Sequence, residues 1–130
     1  MPGPDTDQLS YDDLIDSKVL NKLKTLRDVQ APDEPDIVTN LVDMFLSHVP
    51  DRINALRAAL SQQDMSLVER LAHTLRSSCA SIGAHSMASL CGVLENQSAQ
   101  GLQEGAQELL DRLESHFHHV SPFLAAERIE

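Results

Sequence analysis

Apolar positions recur three and four residues apart through most of the chain, the spacing that gathers side chains on one face of an α-helix. Leu14, Ile15, Val19, Leu20, Leu23 and Leu26 predict a short first helix, with Asp16 or Ser17 as its N-cap. "QAPDEPD" interrupts the pattern with two prolines, and its last acids favour the start of a following helix. From Asp36 to about Ser61 the positions Val38, Leu41, Val42, Phe45, Val49, Ile53, Leu56 and Leu60 hold one face. Pro50 removes a backbone donor in mid-run, so a long helix kinked there is expected, with a pair of shorter helices as the alternative. Asp64 is placed to cap a third helix ending at Gly83. Met87, Leu90, Cys91 and Leu94 mark a fourth. Leu102, Ala106, Leu109, Leu110, Leu113, Phe117 and Val120 mark a fifth, which Pro122 bends or ends.

No alternating run is long enough to be a strand, and the connections between the longer helices are short. The predicted fold class is all-α: an antiparallel four-helix bundle with a short additional N-terminal helix. The polar, proline-bearing start marks residues 1–13 as a flexible tail or linker, and residues 14–126 as the domain.

Composition supports one helical core. With 130 residues, 42% of them hydrophobic, the chain is the size of a single domain. It has no Trp, one Tyr and three Phe, so the core must be aliphatic, which suits packed helices better than sheets. A net charge of −10 argues against nucleic acid as a partner. No apolar run approaches the roughly 20 residues that span a bilayer, and the start lacks the parts of a signal peptide. No membrane contact and a cytoplasmic location are therefore expected. Cys79 and Cys91 both fall inside apolar helical patterns and read as small buried hydrophobes rather than a disulfide.

The third helix carries the most informative residue. On a wheel of about 100° per residue centred on Leu75, the residues Val68, Leu71, Ala72, Cys79 and Ile82 fall within roughly 60° of the centre. His73 lies about 160° away, on the opposite face. Ser66, Glu69, Arg70, Ser77, Ala80 and Ala84 share that face, and Arg76 lies at its margin. Small residues around an exposed imidazole leave room for another protein to approach closely.

"AHTLRSSCASIGAHSMASLCGVLE", Ala72 to Glu95, resembles the signature of histidine-containing phosphotransfer domains, the HPt modules of multistep two-component signalling. The family pattern is roughly Ala-His-(Thr/Ser)-Leu-Lys-Gly-Ser, then (Leu/Ile/Val)-Gly-Ala, and later Leu-Cys-x-x-Leu-Glu. Ala72, His73, Thr74, Leu75, Ser78, Ile82, Gly83, Ala84, Leu90, Cys91, Leu94 and Glu95 match it, and the similarity extends from about Val19 to Val120. Arg76 stands where the family most often has Lys, and Ser77 where it usually has Gly. That Ser either narrows the space for a phosphoryl group and its carrier, or donates a hydrogen bond to a phosphoryl oxygen.

The resemblance implies that His73 accepts a phosphoryl group from the aspartate of a receiver domain and passes it to the aspartate of another. Neutral imidazole is nucleophilic near pH 7, which suits that role. Glu95 would hold Nδ1 and leave Nε2 to attack, and Arg76 would offset phosphoryl charge, with Arg70 a weaker candidate. Ser77 completes the reacting set; Glu69, Arg70, Ala80 and Ala84 are the expected partner contacts. The implied partners are response-regulator receiver domains or a hybrid sensor histidine kinase, and the module is expected to be a monomer. There is no glycine-rich phosphate loop, so no ATP chemistry and no cofactor of its own are expected, the receiver supplying Mg²⁺.

Three other readings compete. The dimerisation domain of a sensor kinase also displays a histidine, but typically with an acidic residue directly after it, where this chain has Thr74. A helical interaction module without phosphorylation is suggested only by Ser77. "HFHH" puts His116 and His119 one turn apart, a weak metal chelate for which a polar helix end is an equal explanation.

Overall fold

The computed structural model describes residues 9–129. Six helices follow one another: α1 (Tyr11–Leu14), α2 (Ser17–Asp28), α3 (Ile37–Ser61), α4 (Met65–Ile82), α5 (His85–Ala99) and α6 (Ala106–Ala125). The last four form the bundle. Each packs on its neighbour in sequence, and α6 closes the ring against α3. The connections at 62–64, 83–84 and 100–105 are too short to do anything but reverse the chain, so the helices run antiparallel. Among the described residues no helix is long and apolar enough to cross a membrane.

The caps are where local chemistry sets the ends. Asp16, Asp36 and Asp64 each accept a backbone N–H in the first turn of α2, α3 and α4. Gly83 ends α4 in the left-handed region at φ 84°, and its carbonyl accepts the amide of Asp16 at 2.8 Å. A Cβ at Gly83 would stand 3.0 Å from the Asp16 carbonyl oxygen, so both the backbone angle and the close approach require glycine.

α1 and α2 cover the end of the bundle where α3 and α5 begin and α4 and α6 finish. α1 packs on α5 and α6, with Tyr11 edge-on to Phe123 at 5.1 Å, and α2 packs on α3 and α4. Arg27 of α2 grips Asp36 with Nε and Nη2 and also donates to the Glu127 carbonyl, joining three chain segments. Hydrogen bonds from Arg27 hold the Asp36 carboxyl at about 2, below the usual carboxylate range.

Three features differ from the periodicity, at α1, α6 and Leu41. Of the tail expected over 1–13, residues 1–8 lie outside the described residues; beyond them the Ser10 hydroxyl and Asp13 form a reciprocal capping box for α1, and Leu14 and Ile15 are buried ahead of α2 rather than within it. A helix of one turn has too few residues to show a period. The long helix expected through Pro50, rather than a pair of shorter ones, is present as α3, and Pro50 stands on its exposed side where water can replace the lost backbone bond. α6 likewise runs past Pro122, and Leu102 lies outside it, exposed. Leu41, assigned to the core face, is partly open and lines a groove between α3 and α4.

The core is aliphatic: Val42, Leu56, Val68, Leu75, Met87, Leu94, Leu110 and Leu113 are almost fully buried. Each such side chain contributes about 1.5–3 kcal/mol by leaving water. Cys79 and Cys91 sit within it as free thiols, and the neighbouring Cys91 thiol, together with burial, pushes the Cys79 thiol up.

Candidate functional site

α4 divides as the wheel predicts. Val68, Ala72, Leu75, Cys79 and Ile82 are buried, and Leu71 is half-buried against the core. His73 projects outward with 57% of its side chain exposed. Thr74, Arg76, Ser77 and Ala80 are exposed beside it, as is Arg70, while Glu69 is half-buried. Ala84 does not belong to this surface. α4 stops at Ile82, and the left-handed turn at Gly83 carries Ala84 inward, fully buried at the N-cap of α5. The wheel assumed two residues of helix that the chain does not make.

Glu95, on α5, reaches across to the imidazole: its Oε2 lies 2.8 Å from His73 Nδ1. The other carboxylate oxygen, Oε1, accepts from Arg76 Nε at 2.9 Å. Arg76 Nη2 also stands 3.2 Å from His73 Nδ1. Nδ1 cannot donate to Glu95 and accept from Arg76 at once. The shorter contact, to a charged acceptor, decides the tautomer: Nδ1 carries the proton and donates it to Glu95. The lone pair then resides on Nε2, which has no hydrogen-bond partner among the described residues. Such an arrangement can present a neutral imidazole to an electrophile from solvent.

Gly92, one turn before Glu95 on α5, lies under the Arg76 stem. A Cβ there would meet Arg76 Cδ at 3.6 Å. The periodicity of α5 gave no reason to single this residue out, although a glycine in mid-helix, in "LCGVLE", was the available signal.

Ser77 uses its hydroxyl on the backbone, donating to the His73 carbonyl at 3.2 Å. Thr74, Ser78 and Ser81 do the same one turn back along α4. Arg52 of α3 donates to Ser78 Oγ at 2.6 Å and helps line the α3–α4 groove, a cavity of about 230 Å³ with Met44, His48 and Ile82. On the other side, Leu67, Arg70, Leu71, His73 and Glu95 line an open cleft of about 590 Å³. Met44, which the periodicity did not place on the core face, is exposed at the α3–α4 groove.

The "HFHH" histidines do not converge. His116 is buried, with Nδ1 2.9 Å from Ser86 Oγ, and His119 Nδ1 takes the Ser115 carbonyl of its own helix at 2.8 Å. His116 is thus a core residue rather than part of a polar helix end.

The family model described as the Hpt domain matches residues 40–121, which contain α4, α5 and nearly all of α3 and α6. The chain is 33% identical over 90 residues to the Sensor protein TorS of Escherichia coli (strain K12), a stretch covering 69% of this chain and 9% of that protein. It is 27% identical over 117 residues to Histidine-containing phosphotransfer protein 1 of Arabidopsis thaliana, covering 88% of this chain and 73% of that one. The crystal structure of histidine-containing phosphotransfer protein B from Pseudomonas aeruginosa PAO1 matches with a TM-score of 0.76 and 26% identity, over 88% of this chain and 93% of that one. ZmHP2 from maize has the same fold, with a TM-score of 0.77 at 22% identity over 89% and 83% of the two chains. With a family model spanning most of the bundle and an exposed histidine at its signature position, the chain belongs to the Hpt domain family, whose business is histidine phosphotransfer in phosphorelays.

Proposed function

We propose that His73 carries a phosphoryl group between receiver domains of a cytoplasmic phosphorelay. The observation that carries this reading is the divided imidazole: Nδ1 is held by Glu95 and Nε2 is free on an exposed face. Nε2 attacks the phosphorus of a receiver's aspartyl phosphate; the N–P bond forms as the acyl P–O bond breaks, and the aspartate carboxylate leaves. The Nδ1 proton stays directed at Glu95, which offsets the positive charge gained by the ring. The reverse step delivers the group to a second receiver. Mg²⁺ for both steps is supplied by the receiver.

Arg76 stands beside the reacting ring, paired with Glu95, and Glu69, Arg70 and Ala80 frame the surface on which a receiver docks. All groups of the site come from one chain, so a monomer carries a complete site. The experiment is transfer from a ³²P-labelled receiver. Acid-labile label on the wild-type domain, absent from His73→Gln, is expected. A wild-type domain that binds the receiver without taking label would instead identify an interaction module.

A further inference from the structure

Arg76 is not simply a free cation beside His73. Its Nε is occupied by Glu95 Oε1 at 2.9 Å, while the same carboxylate uses Oε2 for His73 Nδ1 at 2.8 Å. The carboxylate is thereby fixed at both oxygens, one from each side. Its side chain is only 22% exposed, so water competes little for either oxygen. The Arg76 stem reaches it by crossing α5 at Gly92, with the nearest approach, from an imagined Cβ, at 3.6 Å. A methyl at 92 would sit in ordinary van der Waals contact with that stem.

We propose that Arg76 is a positioning residue acting through Glu95: its guanidinium turns the carboxylate so that Oε2 stays on Nδ1, and so keeps the His73 lone pair on Nε2. This deepens the phosphoryl-acceptor reading and rests on it for its functional consequence. The planar fork is essential to the role. Nε points from within the side chain at Glu95 Oε1, in a direction fixed by the guanidinium plane, an arrangement that a lysine ammonium, a single point donor, does not reproduce. Arg76 and Glu95 are therefore expected to behave as one unit, so removing either leaves the other with little to contribute.

Two measurements on the whole chain test this. The first reads the ring directly, by ¹⁵N NMR of His73 under alkaline conditions that keep histidine rings neutral, with His73→Gln to assign the signals. The wild type should show mainly the Nδ1–H tautomer. Arg76→Ala and Arg76→Lys should both move the population towards Nε2–H, although Lys retains the charge. An unchanged tautomer in Arg76→Ala overturns the proposal, and so does a wild-type pattern in Arg76→Lys.

The second is the initial rate of phosphorylation by phosphoramidate, which needs no receiver: its P–N bond breaks, ammonia leaves, and the phosphoryl group joins Nε2. Arg76→Ala should slow the reaction roughly 3- to 10-fold in the wild-type background, but less than about 2-fold when Glu95→Ala is already present. Equal fold-changes in the two backgrounds would mean that Arg76 acts independently as a charge, and would overturn the proposal. Failure of the wild type to take label from either a receiver or phosphoramidate would count against the phosphoryl-acceptor reading, while the ring tautomers would still decide the role of Arg76.

Discussion

His73 and His116 place the same side chain in two settings that share one helix. Each directs Nδ1 at a side chain of α5: His73 at Glu95 Oε2, 2.8 Å away, and His116 at Ser86 Oγ, 2.9 Å away. The rest of each ring differs. His73 has a carboxylate on one nitrogen and solvent at the other, with 57% of the side chain open. His116 is 7% exposed and has a neutral hydroxyl. Burial pushes its pKa below the ordinary histidine value, and the charges of Arg112 and His119 push the same way. Fixing one nitrogen is thus common to both; what separates the proposed carrier from a packing residue is whether the second nitrogen can be reached, and whether a positive ring has an anion to face.

The sharpest way to break this comparison is to exchange the losses. His73→Gln should abolish the phosphoryl label while leaving the denaturation midpoint near wild type, because an exposed side chain is removed. His116→Ala should do the reverse, keeping the label and losing about 2–4 kcal/mol in urea denaturation, since it empties a buried site. A His116 variant that loses label with its stability intact would put both histidines in the chemistry.

A smaller effect is expected from the partner. Ser86→Ala leaves His116 Nδ1 without its hydroxyl, at a cost of about 1–2 kcal/mol by the same denaturation measurement. The smallest concerns pH. The folded pKa of His116 lies below the unfolded value of 6.5, so the unfolded state binds more protons as pH falls. The stabilising contribution of the neutral ring is therefore present above about 6.5 and is lost as pH falls through the lower folded pKa. Thermal melts of the wild type should show this loss below about pH 6.5, and His116→Gln should flatten it.

How much of this was legible in the chain depended on how local each feature is. The buried stripe of α4 and the exposure of His73 followed from a period of 3.6 residues, because a long helix repeats its geometry at every turn. The cap at Asp64, the cap at Asp16 as one of two candidates, and the stop at Gly83 followed from groups that bond within a few residues. Ala84 failed because it lies just past that stop, where a wheel has no meaning. α1 failed because four residues carry no period and depend on a capping box and the burial of Leu14. His116 failed because its neighbours in sequence, His118 and His119, suggested a polar end, whereas its position on α6 turns it towards α5.

By itself, the sequence determined the longer helices, the all-α class, the histidine that stands outside the core and the signature around it, all of which arise from short-range periodicity and chemistry. Only the tertiary structure decided which nitrogen of His73 is free. That outcome rests on Glu95, which comes from another helix and has its second oxygen occupied by Arg76. Hydrogen bonds across a helix pair depend on packing distance and rotation, and neither is written in the spacing of residues along either helix.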